Sequence, residues 1–273
     1  MELLRYSAFT TDPQGGNPAG VVLDAGHLGA DEMLRIAAEI GYSETAFVDG
    51  DRVRYFSPLA EVDFCGHATI ATAVALAERF GAGPMRFRTN AGEIAVETVV
   101  VDGRVTATLT SAPARSRPAT GTELDEVLGA LRWDHADLDP EFPPHVAFAG
   151  NDHFVLAAAT RERLAKLDYD FAALGDVMSR GGWTTVHLVW AGADGVFHAR
   201  DPFPPGGVVE DAATGAAAAA FGGYLRAIGK LESGRFLVRQ GEDMGRPSLL
   251  TVDVDERAGV RVTGNAVEMT SGA

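Results

Sequence analysis

The chain has 273 residues, of which 46% are hydrophobic and 22% charged, a balance typical of a folded globular protein rather than a disordered one. Its 23 basic and 38 acidic residues give a net charge of −15, which argues against nucleic acid or an anionic membrane as main partner, because both need a basic face. One cysteine excludes an intrachain disulfide and a cysteine-cluster zinc site.

The first forty residues predict two strands and a helix. Leu3 to Phe9 alternates loosely, as a strand does, and a polar turn leads from it to a short apolar strand over Gly20 to Leu23. An amphipathic helix is expected over Glu32 to Ile40, with Asp31 as its cap and Gly41 as its end. Together these elements predict a strand–helix unit at the start of the chain.

The next segment predicts a hairpin followed by a buried helix. Tyr42 to Val48 is a strand pattern, and Asp49-Gly50-Asp51 turns it into a second strand over Val53 to Phe56. The polar turn Asp63–Thr69, here called the first helix mouth, then opens a helix that is apolar on almost every side and ends at Gly81. Its first turn offers free backbone N–H groups to an anion.

Strands and a linker are expected after this helix. Phe87 to Thr98 and Val105 to Leu109 are predicted strands, with Asp102-Gly103 in the turn that joins them. Ser111 to Thr122 contains two prolines and a glycine and is the best candidate for a linker, after which Thr122 caps a short helix over Leu124 to Leu131.

From His145 onward the order of elements returns. Gly150-Asn151 echoes Gly16-Asn17, an amphipathic helix is expected over Phe171 to Ser179, and a strand follows it. Glu210 then leads into Asp211–Ala216, here called the second helix mouth, and an alanine-rich helix. Two closing strands are predicted near the C-terminus, over 245–254 and 260–268.

The shared order predicts a duplicated architecture. We expect an α+β fold of two pseudo-symmetric halves, 1–117 and 118–273, each with a curved, mostly antiparallel sheet wrapped around a buried central helix. Crossing of the chain between the halves near its termini is compatible with this pattern. Both helix mouths are expected to face an active-site cleft between the halves, where small-molecule sites often lie.

Glu44 is the carboxylate of most chemical interest. It stands among apolar and aromatic neighbours, and a carboxylate partly desolvated in a cleft is suited to general acid–base work. A solvated glutamate at a strand edge is the alternative, and the local sequence leaves both open. The second half has Thr185 at the matching position, so such a carboxylate occurs once.

Three residues of the helix mouths are further candidates. Cys65 lies where a helix N-terminus favours a thiolate, but a buried structural cysteine is preferred, because Ala212 occupies the matching position and a two-thiol racemase needs two cysteines. His67 and Asp211 could each hydrogen-bond a substrate or hold a proton carrier. Asp211 could equally cap a helix, an explanation that suits His67 less well because a cationic histidine opposes the helix dipole.

Small residues in the two mouths suit close approach of a ligand. Gly66, Gly215 and Ala216 would let it reach the backbone amides, although small residues also serve helix–sheet packing alone. The remaining histidines show no metal-ligand spacing, and no Walker loop, dinucleotide fingerprint or nucleophile elbow is present. We therefore expect no cofactor and no metal.

The location is expected to be cytoplasmic, with no membrane partner. No basic region followed by an apolar run opens the chain, and no apolar run approaches the ~18 residues that span a bilayer.

Five motifs, taken in order, resemble the PhzF (phenazine biosynthesis-like) family. They are Gly16-Asn17-Pro18-Ala19, Ser43-Glu44-Thr45, Asp63-x-Cys65-Gly66-His67-Ala68-Thr69, Glu210-Asp211-x-Ala213-Thr214-Gly215 and Gln240-Gly241-x-x-Met244-Gly245-Arg246-Pro247-Ser248. The resemblance covers essentially the whole chain. It implies the diaminopimelate epimerase fold, in which the substrate carboxylate lies near helix N-termini.

The resemblance also implies a cofactor-independent isomerase that acts on a small anionic metabolite. In the family's best-understood chemistry, a dihydro-hydroxyanthranilate loses a proton from one carbon and regains one on another. Glu44 stands at the position of the glutamate that carries this proton, and His67 and Asp211 match its supporting polar residues. The residues placed at the substrate are Asn17, Ser43, Gly66, Thr214, Gly215 and Ala216.

One departure and two alternatives accompany this expectation. The family motif commonly has serine where this chain has Ala216, so a side-chain hydroxyl contact is lost. A non-catalytic metabolite binder would use the same cleft without needing Glu44. A cysteine-dependent epimerase would need a second thiol where Ala212 stands. A homodimer is expected from the family alone.

Overall fold

A computed structural model describes residues 1–193, 195–255 and 259–269, and the chain divides into two units. The first unit comprises Met1–Thr110, Arg246–Leu249 and Thr263–Ala273, and the second comprises Ser111–Gly245 and Leu250–Val262. The first segment of the first unit thus ends at Thr110, whereas the predicted halves meet after residue 117. A cleft between the halves stays a prediction.

The first unit consists of a mixed sheet and two helices that the sequence pattern indicated. Its helices are α1 (Ala30–Ile40) and α2 (Gly66–Phe80), and its strands are β1 (Glu2–Ala8), β2 (Asn17–Leu23), β3 (Glu44–Asp49), β4 (Arg52–Phe56), β5 (Glu61–Val62), β6 (Pro84–Thr89), β7 (Gly92–Val101) and β8 (Arg104–Thr110). Strands β2 and β3 pair in parallel, as do β4 and β6, whereas β1–β2, β3–β4, β4–β5, β6–β7 and β7–β8 are antiparallel.

Helix α2 is the buried helix of this unit. It packs against β1, β2, β3, β7 and β8, and apolar residues on all its faces, such as Ile70 and Val74, are buried. The hydroxyl groups of Thr69 and Thr72 donate to carbonyl groups one turn earlier, at 2.6 and 2.7 Å, so burial leaves these polar atoms satisfied. Gly81 ends the helix at a φ of +100°, as predicted.

The second unit repeats these elements and adds two helices. Its helices are α3 (Gly121–Leu131), α4 (Arg161–Ala165), α5 (Phe171–Gly181) and α6 (Gly215–Ala227), and its strands are β9 (Arg115–Pro118), β10 (His145–Phe148), β11 (Asp152–Ala157), β12 (Trp183–Ala191), β13 (Val196–Phe203), β14 (Val208–Asp211) and β15 (Gly234–Gln240). The closing strands β16 (Ser248–Val254) and β17 (Arg261–Glu268) contribute residues to both units. Helix α6 is the buried helix here, and it packs against β9, β10 and β11.

Five strand pairings of the second unit have counterparts in the first. The pairs β10–β11, β12–β13 and β13–β14 are antiparallel and match β1–β2, β3–β4 and β4–β5, while β11–β12 and β13–β15 are parallel and match β2–β3 and β4–β6. The amphipathic helices α1 and α5 occupy the same place in the two orders. The predicted α+β class and the internal repeat are therefore confirmed.

Two predicted helix caps are wrong. The N-cap of α1 is Gly29, and Asp31 lies inside the first turn, where its charge favours the helix dipole without a cap hydrogen bond. The N-cap of α3 is Thr120 instead of Thr122, because Glu123 completes a reciprocal capping box with it.

Three strand boundaries also differ from the predictions. The segment Ser111–Thr122 is not a simple linker, since β9 lies within it and pairs with β10. The single strand expected over Phe87–Thr98 is a hairpin of β6 and β7 with its turn at residues 90–91. Strand β2 begins at Asn17, within the predicted turn.

None of the helices within the described ranges combines the length and apolar character that crossing a membrane requires.

Candidate active site

Glu44 is the first residue of β3 and lies opposite Ala19 of the parallel strand β2. Its side chain is 12% exposed, so the solvated strand-edge alternative is wrong. Strands β2 and β3 pack closely next to Glu44: a Cβ added to Gly20 would lie only 2.7 Å from Thr45 Oγ1. The carboxylate is therefore held at the start of a buried strand with limited access to water.

The first helix mouth is fixed by hydrogen bonds beneath it. Cys65 is the N-cap of α2, has extended backbone and is 9% exposed. Its carbonyl oxygen accepts from Thr69 Oγ1, which in turn accepts from the hydroxyl of the fully buried Tyr55 at 2.7 Å. Burial raises the pKa of Tyr55, so its hydroxyl stays protonated and remains a donor. These contacts set where the first turn of α2, including His67, begins.

The side chains of Ser43, Glu44 and Cys65 lie around the imidazole of His67, which is 5% exposed. Its Nε2 lies 3.3 Å from Ser43 Oγ and 3.6 Å from Glu44 Oε2, and its Nδ1 lies 3.3 Å from Cys65 Sγ. A neutral ring that carries its proton on Nε2 can direct it toward Ser43 and Glu44 while Nδ1 accepts from the thiol. A protonated ring donates on both sides. The arrangement can hold a carboxylate and pass or receive one proton.

The same groups form a potential set of metal ligands. Glu44, Cys65 and His67 each present a ligand atom within 4.8 Å of those of the other two. Spacing along the sequence does not reveal this set, because the glutamate comes from a different element, β3, than the cysteine and histidine at the start of α2.

Asn17 opens β2 and is buried, at 3% exposure, opposite Ala8 of β1. The preceding Gly16 has a φ of +68°, and a Cβ there would lie 2.4 Å from the carbonyl oxygen of Ala8. Only glycine is compatible with this turn. The turn therefore fixes the position at which Asn17 enters the sheet.

Arg246 holds that turn, a role that sequence reasoning missed. Its Nε donates to the Gly16 carbonyl at 2.8 Å, and its Nη2 donates to the Gly15 carbonyl at 2.6 Å and to Ser7 Oγ at 3.2 Å. Desolvation lowers the pKa of Arg246 from its ordinary value. The available signal was a lone arginine within a Gly-Arg-Pro-Ser motif.

Asp211 ends β14 in the second unit and is buried. Thr214 Oγ1 donates to its Oδ2 at 2.7 Å, and the N-cap of α6 is Thr214, so Asp211 is not the cap residue itself. The fully buried Gln240 donates from Nε2 to the Asp211 carbonyl and to Thr214 Oγ1, both at 2.9 Å, and its Oε1 accepts from the Thr214 N–H at 3.0 Å. Gln240 thus holds the second helix mouth, and this role too was missed.

The small residues of the mouths lie where the motifs placed them. Gly66 is the first residue of α2, and Gly215 is the first residue of α6, where first-turn N–H groups have no partner within the helix. Ala216 follows Gly215 and is half-buried. Their roles in binding a substrate stay predictions.

Thr185, at the position that corresponds to Glu44, belongs to a buried polar chain. Its hydroxyl donates to Asp201 Oδ1 at 2.8 Å and lies 2.8 Å from His153 Nδ1, while His187 Nδ1 lies 3.0 Å from Asp201 Oδ2. All four side chains are at most 1% exposed. Burial, with the charge of His187, lowers the pKa of His153 to about 3, which keeps it neutral. This network is structural and has no access to a substrate.

Comparison with known proteins gives matches along the whole chain. The family described as phenazine biosynthesis-like protein matches residues 6–272. The trans-2,3-dihydro-3-hydroxyanthranilate isomerase of Pseudomonas chlororaphis is 34% identical, over 97% of this chain and 96% of its own. A crystal structure of a Bacillus anthracis phenazine biosynthesis protein of the PhzF family superposes with a TM-score of 0.88 at 27% identity, covering 99% of this chain and 98% of that one.

A more distant match concerns the fold alone. A probable proline racemase from Agrobacterium radiobacter superposes with a TM-score of 0.63 at 16% identity, over 97% of this chain and 90% of that one. Together with the closer structure, this likeness confirms the predicted fold class of two repeated halves, the epimerase-like architecture.

Proposed function

The chain belongs to the phenazine biosynthesis-like (PhzC-PhzF) family, and from that premise we propose that it is a cofactor-independent isomerase that transfers a proton between two carbons of a small carboxylate-bearing metabolite. The observation that carries the proposal is the Glu44 carboxylate, 12% exposed and 3.6 Å from the buried His67 Nε2. A single carboxylate in this setting is suited to taking a proton and giving it back.

Glu44 is the proton carrier of the proposed reaction. Its ionised carboxylate removes a proton from a carbon that is acidified by an adjacent unsaturated system, and the electron pair of the broken C–H bond moves into that system. The protonated Glu44 then returns a proton to another carbon, and the double bonds shift. The enzyme ends unchanged, so the step needs no oxidant or reductant.

His67 and Ser43 position the carrier. The His67 ring contacts both, and its N–H can stabilise the carboxylate of Glu44 while the substrate proton is still on carbon. We assign Asp211, whose Oδ2 accepts from Thr214, the role of binding a polar group of the substrate. The assignment of Asp211 rests on its motif and on its fixed, buried position.

An anionic substrate suits the local field despite the net charge of −15. The first turns of α2 and α6 present backbone N–H groups at the positive ends of helix dipoles, beginning at Gly66 and Gly215. Thr214 and Ala216 flank Gly215 at the start of α6. Asn17 is held in place at the start of β2 by the turn at Gly16. We propose that these residues bind the substrate carboxylate and its neighbouring polar groups.

The first substrate to test is trans-2,3-dihydro-3-hydroxyanthranilate, because relatives that match almost the full chain are named for its isomerisation. Ala216, where the family commonly has serine, removes a hydroxyl from the proposed carboxylate site. Related small cyclic carboxylates with an acidic C–H bond form the rest of the test set.

Glu44→Gln is the decisive variant. It keeps the shape of the side chain but cannot accept the proton, so we expect turnover to fall by at least about 10³-fold, within the range of general acid–base catalysis. Substrate binding should persist. The matched control is Glu97→Gln, which makes the same charge change at an exposed position of β7. Turnover is followed by absorbance and product analysis.

Two readouts separate the proposal from its alternatives. In deuterium oxide, deuterium should enter the product if the carried proton exchanges with solvent. Full activity in Glu44→Gln would refute the proton-carrier assignment, and binding without isomerisation of any candidate would favour a metabolite-binding protein. A homodimer and a cytoplasmic location stay predictions.

A further inference from the structure

We propose that Glu44, Cys65 and His67 form a binding site for a thiophilic divalent cation such as Zn²⁺ or Cd²⁺. The cation site is inferred from the geometry of these three side chains. Its consequence, inhibition of the isomerase, rests on the proposed function.

The chemistry of the three donors matches such an ion. Thiolate, imidazole nitrogen and carboxylate oxygen are the donor types that zinc takes in proteins, and three protein ligands with an open fourth position are typical of reactive zinc sites. Thiolate selects zinc, cadmium or copper(I) over magnesium and calcium, which prefer oxygen. The cysteine is the N-cap of α2, where the positive end of the helix dipole favours the thiolate form that a metal needs.

The distances require little adjustment. Metal–sulfur bonds of ~2.3 Å and metal–nitrogen or metal–oxygen bonds of ~2.0–2.1 Å place tetrahedral ligand atoms roughly 3.3–3.6 Å apart. His67 Nε2 lies 3.9 Å from Cys65 Sγ and 3.6 Å from Glu44 Oε2. All three ligand atoms lie within 4.8 Å of one another, so shifts of a few tenths of an ångström to an ångström would bring them onto one ion.

Charge and burial also favour a dication over a monocation or an anion. A thiolate and a carboxylate bring two negative charges to a pocket where His67 is 5% and Cys65 9% exposed. One Zn²⁺ neutralises both, so no net charge is left in a poorly solvated place.

Occupation of this site would stop proton transfer. A carboxylate bound to a metal has lost the basicity that Glu44 needs, and His67 could no longer share a proton with it. The enzyme would therefore be reversibly inhibited by zinc at the residues that carry its chemistry.

Cadmium titration of the chelator-treated protein tests the site without reference to activity. A cadmium–thiolate bond gives an ultraviolet charge-transfer band, and the chain has one cysteine, so the band reports Cys65 alone. We expect a saturable band that Cys65→Ser abolishes. Glu44→Gln and His67→Gln should each weaken cadmium binding by roughly 10–100-fold or more, since even outer-shell partners have effects of that size.

The matched control uses another histidine–carboxylate pair. His135 Nε2 lies 3.1 Å from Asp125 Oδ1, but both side chains are about two-thirds exposed, at 68% and 69%, and no thiol is present. His135→Gln should leave the band and its affinity unchanged. Circular dichroism of each variant verifies that the fold is retained.

The outcomes are distinct. Absence of the band, or equal affinity in wild type, Glu44→Gln and His67→Gln, would overturn the site, since the thiol would then bind metal alone or not at all. A band with the expected variant pattern, but no isomerase activity, supports the site and counts against the proposed function. If Glu44→Gln loses turnover but the wild-type protein binds no cadmium, the result supports the proposed function and counts against the site. Inhibition by zinc that a chelator reverses supports both.

Discussion

Replacement of Gln240 by glutamate tests how the second helix mouth is held. Gln240 is fully buried, and its Nε2 donates to the Asp211 carbonyl and to Thr214 Oγ1. An ionised glutamate can still accept from the Thr214 N–H, but it cannot donate. The variant therefore loses two donated hydrogen bonds and places a new negative charge beside the buried Asp211.

The size of the effect follows from the two acceptors that lose a donor. A buried acceptor that loses its hydrogen-bond donor costs about 1–3 kcal/mol in stability. Thr214 is half-buried, so water can replace part of the bond that its hydroxyl loses. We expect the free energy of unfolding to fall by about 2–4 kcal/mol at neutral pH. Burial raises the pKa of the introduced carboxyl above its unfolded value of about 4.3, because the charged form is disfavoured. The protonated group can donate one hydrogen bond, so the deficit is smallest in acid and grows as pH rises through the folded pKa.

Urea unfolding followed by fluorescence measures both the deficit and its pH dependence. Gln14→Glu is the matched control, since it makes the same change at an exposed position and should alter stability by less than about 0.5 kcal/mol. A deficit for Gln240→Glu no larger than that of the control would refute the reasoning. A deficit that stays constant between about pH 4.5 and about pH 7 would refute the burial argument.

Two further predictions concern the thiol and a helix cap. Cys65→Ala should change kcat/KM by less than about tenfold, or about 1.4 kcal/mol, because a single-glutamate reaction needs no thiol; an inactive, folded variant would instead favour cysteine-dependent chemistry. Glu123→Gln should destabilise the protein by about 1–2 kcal/mol at neutral pH, because Glu123 binds Arg117 and completes the α3 cap. Arg117, with the backbone contacts of the cap, lowers the pKa of Glu123 to about 2, so this difference is present above the unfolded pKa and disappears as pH falls through about 2. Glu126→Gln on the same helix should show a smaller loss of stability at neutral pH in thermal unfolding.

The elements that the sequence predicted well are those with a local physical signature. The buried helix α2 is apolar around its whole circumference and ends at Gly81, so its place could be inferred without knowledge of the partners it packs against. Strand β9 could not, because its residues are proline, serine and arginine, and its strand character comes from pairing with β10. The caps of α1 and α3 failed for a related reason, since several neighbouring residues can cap and backbone geometry selects one.

The candidate site shows the same division. The motifs indicated Glu44 and His67, but their contact joins β3 to the start of α2, and local alternation carries no information about such a contact. Gln240 acts on Thr214, 26 residues away, and Arg246 acts on Gly16, 230 residues away. Hydrogen bonds between residues so far apart in the sequence leave no local pattern, except for an unexplained polar residue in a motif.

The repeat explains why one carboxylate must serve for both halves of the proposed reaction. Ala19 faces Glu44 across β2 and β3, and at the matching register His153 faces Thr185 across β11 and β12. Thr185 is bonded into the buried polar chain and is 1% exposed, whereas the Glu44 side chain is 12% exposed. A buried hydroxyl cannot act on a substrate, so the equivalent of Glu44 offers no second base. With one carrier, the proton must leave and return on the face of the substrate that meets Glu44, whereas a two-thiol racemase delivers it to the opposite face.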